Sequence, residues 1–160
     1  MIYKVLKNFL EPSVLGSISS YKGFNPFKAR WYDAPIEREY QKNILEEASS
    51  FVTLDGLVGI EEWFHNPAFL HLPGKHYDKD EYLYERDGIL DFPLCSCVLY
   101  MKVEDLVGAR LIIEDSFEVV PESNTLVLMK PGTLHEVTEY VSGTRTSVNI
   151  NPWSRPIKIS

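Results

Sequence analysis

The chain has 160 residues and a formal net charge of −7, and its ten prolines and nine glycines are scattered rather than gathered into a linker. That length suits one domain able to bury a substantial core. The acidic balance and the lack of a Lys/Arg run argue against a general nucleic-acid binder, because neutralising phosphates needs a basic face. No apolar run approaches membrane-spanning length, and Met1 to Lys7 is too short and too interrupted by lysine for a secretory signal, so a soluble, cytoplasmic protein is expected.

In chain order, Ile2 to Leu6 reads as a strand and Ser13 to Ser20 as a short helix. A Gly/Pro turn at Gly23 to Pro26 leads to the aromatic pair Trp31-Tyr32, which fits either a substrate contact or the core. Ile36 to Phe51 carries good helix formers, with Tyr40, Ile44, Leu45 and Ala48 at helical spacing. From Val52 onward short apolar or alternating runs are separated by Gly, Pro, Asn and Asp. The predicted strands are Phe69 to Leu72, Lys75 to Asp78, Leu94 to Lys102, Ala109 to Glu114, Ser116 to Val120, Thr125 to Met129, Leu134 to Val141 and Arg145 to Ile150. About eight strands with no helical period between them fit a mainly β (α+β) jelly roll better than a parallel α/β sheet, which would need a helix between strands. The whole of 1–160 is read as one domain, with helical and strand support over about 1–66 and the jelly-roll core over about 67–153. Cys95 and Cys97, two apart on one strand, face the same side and read as buried reduced thiols.

The histidines carry the chemistry. On an extended segment His76 and Asp78 project from the same face, so one short piece of backbone offers an imidazole and a carboxylate to a single ion. His135, after the turn Pro131-Gly132-Thr133, is the candidate third ligand. Two imidazoles and one carboxylate leave half of an iron(II) coordination sphere open, which suits oxygen chemistry and a bidentate 2-oxo acid. His65, before Asn66-Pro67, and His71, among apolar neighbours, read as ordinary residues.

An oxo diacid would need its far carboxylate held by a cation, and the planar fork of arginine suits that task. Ser142-Gly143 reads as a turn that reverses the chain after His135 and brings Arg145 back to the cavity. Without a reversal, ten extended residues would separate His135 from Arg145 by roughly 33 Å. Arg145, Ser147 and Asn149 then share a strand face, and Ser147 could donate its hydroxyl to the same carboxylate.

The series His76-x-Asp78, His135, Arg145-x-Ser147 resembles the iron(II)- and 2-oxoglutarate-dependent oxygenases. The run from His135 through Arg145-Thr146-Ser147-Val148-Asn149-Ile150 is similar to their prolyl-hydroxylase-like branch. The resemblance covers about the last hundred residues and implies a double-stranded β-helix. It also implies Fe(II), 2-oxoglutarate as co-substrate, O2, ascorbate as reductant, and hydroxylation of a substrate with release of succinate and CO2. Asp78, which halogenating relatives lack, favours hydroxylation. The resemblance further places Tyr100 where this branch often carries a tyrosine bonded to the 2-oxoglutarate carboxylate; a core tyrosine is the other reading. Departures at Gly108-Ala109-Arg110-Leu111 and Asn151 loosen any assignment to proline. Residues 79–93, with Tyr82, Tyr84 and Phe92, could cover the cavity mouth as a substrate-facing lid or be a solvated loop. Tyr82, Tyr84 and Trp31 are the substrate-contact candidates, and the expected partner is a peptide, protein or small-molecule substrate. The alternatives are a metal-dependent jelly-roll enzyme that uses no 2-oxoglutarate and a non-catalytic binding jelly roll.

Overall fold

The computed structural model describes residues 1–21, 24–26, 28–66 and 74–159. In chain order its elements are β1 (Tyr3–Leu6), α1 (Pro12–Ser17, running into a 3-10 turn at Ile18–Ser20), β2 (Arg30–Asp33), α2 (Glu39–Phe51), β3 (Gly59–His65), α3 (Glu81–Asp87), β4 (Ser96–Gly108), β5 (Leu111–Ile113), β6 (Phe117–Val119), β7 (Thr125–Met129), β8 (His135–Val137) and β9 (Tyr140–Trp153). A six-stranded sheet in the order β1-β7-β4-β9-β3-β2 stands with a three-stranded sheet in the order β6-β5-β8. The described pairings are antiparallel. This is the mainly β, double-stranded β-helix architecture expected, with helices in support.

The strand period of two divides the large sheet into two covered faces. On one face Ile60 and Phe64 of β3, Cys97 and Leu99 of β4, Leu126 and Leu128 of β7, and Val148 and Ile150 of β9 pack with Tyr40, Ile44, Leu45 and Ala48 of α2. On the other, Val98, Tyr100, Val127 and Met129 pack with Leu111, Ile113 and Val119 of the small sheet. Each fully buried aliphatic side chain stabilises the fold by about 1.5–3 kcal/mol. Burial on both faces explains why Thr125–Met129 reads as an unbroken apolar run rather than an alternating one. Cys95 and Cys97 are buried free thiols, as expected.

Local chemistry sets the helix ends. Pro12 occupies the first turn of α1, where a missing N–H costs nothing. Asp80 caps α3 by accepting from the Leu83 N–H at 2.9 Å, and Gly88 ends it at φ 68°. Helix α2 begins three residues later than the spacing predicts. Arg38 stays extended before it, with its guanidinium 4.8 Å from the Tyr21 ring and 4.9 Å from the Tyr32 ring.

The structure corrects the path into the site. Ser142-Gly143 is not a turn; β9 runs through it from Tyr140 to Trp153. Gly143 adopts φ 88°, and a Cβ there would lie 2.2 Å from the Asp105 carbonyl oxygen, so this glycine marks an irregularity in the β4–β9 ladder. The change of direction comes earlier. The predicted strand Leu134 to Val141 breaks at Thr138-Glu139, where the chain leaves the small sheet (β8 on β5) for the large one (β9 on β4). Thr138 holds that corner, donating its N–H to the Arg110 carbonyl and accepting the Arg110 N–H on its hydroxyl. Of the predicted strand Lys75 to Asp78, only His76 forms a bridge, to His135. The predicted strand Phe69 to Leu72, with His71, lies outside the described residues.

Candidate metal centre and the cavity behind it

His76 and His135 exchange backbone hydrogen bonds, 2.9 Å from the His76 N–H and 3.0 Å from the His135 N–H, which sets their rings 4.4 Å apart. The Nδ1 of His76 lies 2.6 Å from the Gly74 carbonyl, and that of His135 lies 2.9 Å from the Thr133 carbonyl. A carbonyl only accepts, so both Nδ1 atoms carry the proton and both Nε2 atoms are left to bind whatever sits between them. Each Nε2 is 3.4 Å from Oδ1 of Asp78, and one donor atom from each residue falls within 4.8 Å of the others. Three electron-pair donors facing one point suit a positive charge there, and a divalent ion fits the set.

The protonation preferences agree. Burial opposes ionisation of Asp78, but hydrogen bonds and charge from His135 and His76 outweigh it and hold the carboxyl well below the usual carboxylate range. Burial alone would lower His135, and Asp78 reverses that, leaving it raised. The second oxygen of Asp78 accepts from Asn151 Nδ2 at 3.2 Å, which orients the carboxylate.

Behind this centre one face of the large sheet is polar. Arg145, Ser147, Asn149 and Asn151 alternate along β9; across from them on β3 stand Glu61, opposite Asn151, then Trp63, opposite Asn149, and His65, opposite Ser147. On the other flank of β9, Val98 faces Asn149 and Tyr100 faces Ser147. These rungs line an inner cavity of about 440 Å³ reaching from His76 and His135 to Tyr100 and Arg145. An outer cleft of about 430 Å³ includes Glu61, His76 and Asp78. Trp63 and His76 border both spaces, which places the metal donors between them.

Arg145 closes the inner end and is only 3% exposed. Its Nη2 reaches His65 Nδ1 at 3.2 Å and the Ser147 hydroxyl at 3.3 Å, and its guanidinium carbon lies 5.2 Å from the Tyr100 ring centre. Nε and Nη1 are buried with no hydrogen-bond partner. Among the described residues no carboxylate pairs with it, and burial pushes its pKa down. A buried cation with open N–H groups in a cavity fits a carboxylate of a bound ligand. Ser147, fully buried, directs its hydroxyl to the His65 carbonyl at 3.5 Å. Burial pushes the Tyr100 hydroxyl up against the opposing charge of Arg145.

The six residues expected to hold metal and co-substrate are therefore brought together. The substrate candidates are not. Tyr82 and Tyr84 are exposed on α3, where Lys158 lies over the Tyr82 ring at 4.3 Å and Lys79 over the Tyr84 ring at 5.1 Å. Trp31 sits on edge strand β2 against Gly59, where a Cβ would meet its ring at 2.3 Å. The segment 79–93 contains helix α3 and is clasped at its neck. The Asp80 N–H bonds the Asp91 carbonyl at 2.9 Å, and Arg155 reaches Asp80 at 2.8 Å and Asp91 at 2.6 Å.

Sequence reasoning missed Glu61, Trp63, His65 and the role of Asn151. The signal was the alternation Glu61-x-Trp63-x-His65, obscured because the opposite row, Ile60, Glu62 and Phe64, is interrupted by a buried acid. Glu62 is satisfied there by Tyr40 at 2.6 Å and Gln41 at 2.8 Å. Glu61 is pushed up to about 7, by burial first and by the charges of Asp78, Asp80 and Glu81, with the Trp153 indole N–H at 3.4 Å acting the other way.

No protein-family model and no curated protein matches the chain. Solved structures do match. A prolyl-4-hydroxylase from Pseudomonas putida is 19% identical with a TM-score of 0.61, covering 96% of this chain and 93% of that one. A viral collagen prolyl hydroxylase from Paramecium bursaria Chlorella virus-1, in complex with 2-oxoglutarate, is 17% identical with a TM-score of 0.62 and 96% coverage of both chains. A Trichoplax adhaerens prolyl hydroxylase bound to a peptide fragment of hypoxia inducible factor is 13% identical with a TM-score of 0.60, covering 95% of this chain and 83% of that one. The chain thus shares the double-stranded β-helix of prolyl 4-hydroxylases over nearly its whole length. Among the described residues, no helix is long and apolar enough to cross a membrane.

Proposed function

We propose that the chain is an iron(II)- and 2-oxoglutarate-dependent dioxygenase that hydroxylates a side chain of a polypeptide, with proline the first residue to test. The observation that carries this reading is a cavity with the converged donors His76, Asp78 and His135 at one end and, at the other, a buried guanidinium that has no counter-ion among the described residues. His76, Asp78 and His135 hold the iron. Arg145 binds the far carboxylate of 2-oxoglutarate, with Ser147 and Tyr100 completing that end, and Val98, Leu111 and Val137 keep water from the cavity wall. When bound, iron and 2-oxoglutarate together activate dioxygen, placing one oxygen atom on the substrate and leaving succinate and CO2, with ascorbate as auxiliary reductant. The protein supplies fixed ligands and a dry pocket. The peptide bound to the Trichoplax neighbour supports a polypeptide substrate. Tyr82 and Tyr84 then touch outer parts of that polypeptide rather than the oxidised residue. An enzyme that uses no 2-oxo acid is disfavoured because it would leave Arg145 buried without an anion.

The test is anaerobic addition of iron(II) and 2-oxoglutarate to metal-free protein. A visible charge-transfer band of a chelated 2-oxo acid is expected, and no band at saturating ligand sinks the reading. Mass spectrometry of peptide arrays turned over in air then identifies the oxidised residue.

A further inference from the structure

The outer cleft carries a carboxylate that the metal and co-substrate sites do not use. Glu61 stands on the inward row of β3, opposite Asn151, and lines the cleft with Trp63, His76 and Asp78. The other charged side chains on that wall are already paired. Lys75 reaches Asp115 at 2.5 Å, and Lys79 reaches Glu81 at 3.2 Å. Among the described residues Glu61 has no cation partner, and its one hydrogen-bond donor is the Trp153 indole at 3.4 Å. A carboxylate that is mostly removed from water, has no counter-ion among the described residues and shares a cleft with Trp63 suits a cation.

We propose that the cleft selects substrates bearing an ammonium or guanidinium group, which pairs with Glu61 beside Trp63 and so fixes the oxidised carbon next to the metal donors. This rests on the reading of His76, Asp78 and His135 as the iron site. A cation there offsets the cost of burying the Glu61 carboxylate and the repulsion that Asp78, Asp80 and Glu81 add to it. A neutral group of the same shape would leave that cost in place, so the cleft discriminates by charge as well as by fit. The cation is a lysine or arginine side chain of a polypeptide, or a free basic amino acid.

Calorimetry on protein loaded with redox-inactive zinc(II) and 2-oxoglutarate separates these outcomes. The probes are the blocked peptide acetyl-Gly-Pro-Lys-Gly-amide, its arginine and norleucine counterparts, and free lysine and arginine. Binding of a basic probe at least tenfold tighter than the norleucine peptide is expected, and whether peptide or free amino acid shows it identifies the source. Glu61→Gln should erase the difference while zinc and 2-oxoglutarate affinities stay unchanged, and Glu61→Asp should retain the preference for a cation. Equal binding of basic and norleucine probes, or a preference that survives Glu61→Gln, overturns the inference. Failure to bind zinc or 2-oxoglutarate instead overturns the iron-site reading, and the contrast between lysine and norleucine is still measurable on the metal-free protein.

Discussion

The two ends of the inner cavity are finished to different degrees. At the metal end the second polar atom of each ligand is satisfied by the protein: His76 by Gly74, His135 by Thr133 and Asp78 by Asn151. At the anchor end Nε and Nη1 of Arg145 are buried with no hydrogen-bond partner among the described residues. The first is a set of donors held in place by the protein alone, as outer hydrogen bonds to ligating residues generally achieve. The second is a charge kept in a low-dielectric space, which is unfavourable until an anion joins it. The metal end should therefore keep its geometry without the co-substrate, whereas the anchor end should be stabilised by it.

Breaking the metal end gives the largest expected effect. His135→Ala removes a ligand and one half of the backbone-registered pair, so iron affinity should fall by more than the roughly hundredfold that loss of an outer partner costs. A metal-buffered titration measures it, and wild-type affinity in the variant would remove His135 from the site. Arg145→Met comes next. Truncating one partner of a buried charge pair costs about 2–5 kcal/mol, or roughly thirty- to several-thousand-fold in 2-oxoglutarate affinity. Iron affinity should hold. Without ligands the same variant should melt higher than wild type, because a neutral side chain replaces an unpaired buried cation. Equal loss of iron and 2-oxoglutarate binding would mean that the ends are not separable.

Asn151→Ala sharpens the contrast at its border. Asn151 lies on the same strand face as Arg145 yet serves Asp78, so iron affinity should drop about 10- to 100-fold and co-substrate specificity should be untouched. A loss confined to 2-oxoglutarate would reassign Asn151 to the anchor end.

The same contrast decides what could be read in the sequence. His76, Asp78 and His135 were legible because a metal site would impose residue type and spacing, and Arg145 because a diacid would need a cation beyond the metal. Thr125–Met129 was legible to the residue because both its faces are covered by apolar layers. Strand β3 was not, since each of its rows carries an acid, Glu61 in the cleft and Glu62 in a polar network beside α2. The chain reversal was placed at Ser142-Gly143 because glycine usually marks a turn. Here its positive φ serves an irregularity inside β9, and the corner at Thr138-Glu139 is held by hydrogen bonds exchanged between Thr138 and Arg110, far away in sequence.

Glu61→Gln should have the smallest effect, with a sign opposite to that of most buried substitutions. In the folded protein Glu61 is pushed up to about 7, chiefly by burial, against about 4.3 in an unfolded chain. Between these values the native state keeps a proton that the unfolded state has released. Stability must then fall as pH rises through that window and level off above about 7. The whole shift corresponds to about 4 kcal/mol at 1.36 kcal/mol per pKa unit, and screening by the solvent of the cleft reduces this to roughly 1–2 kcal/mol. Glutamine cannot ionise, so metal-free Glu61→Gln should match the wild type at pH 4 and exceed it at pH 8. Denaturant unfolding in the presence of a chelator at both pH values measures the difference. A variant less stable than wild type at pH 8 would show that the Glu61 carboxylate supports the fold. The expected gain would instead group Glu61 with Arg145, as a charge held at a cost to stability and facing a space that a ligand of opposite sign can fill.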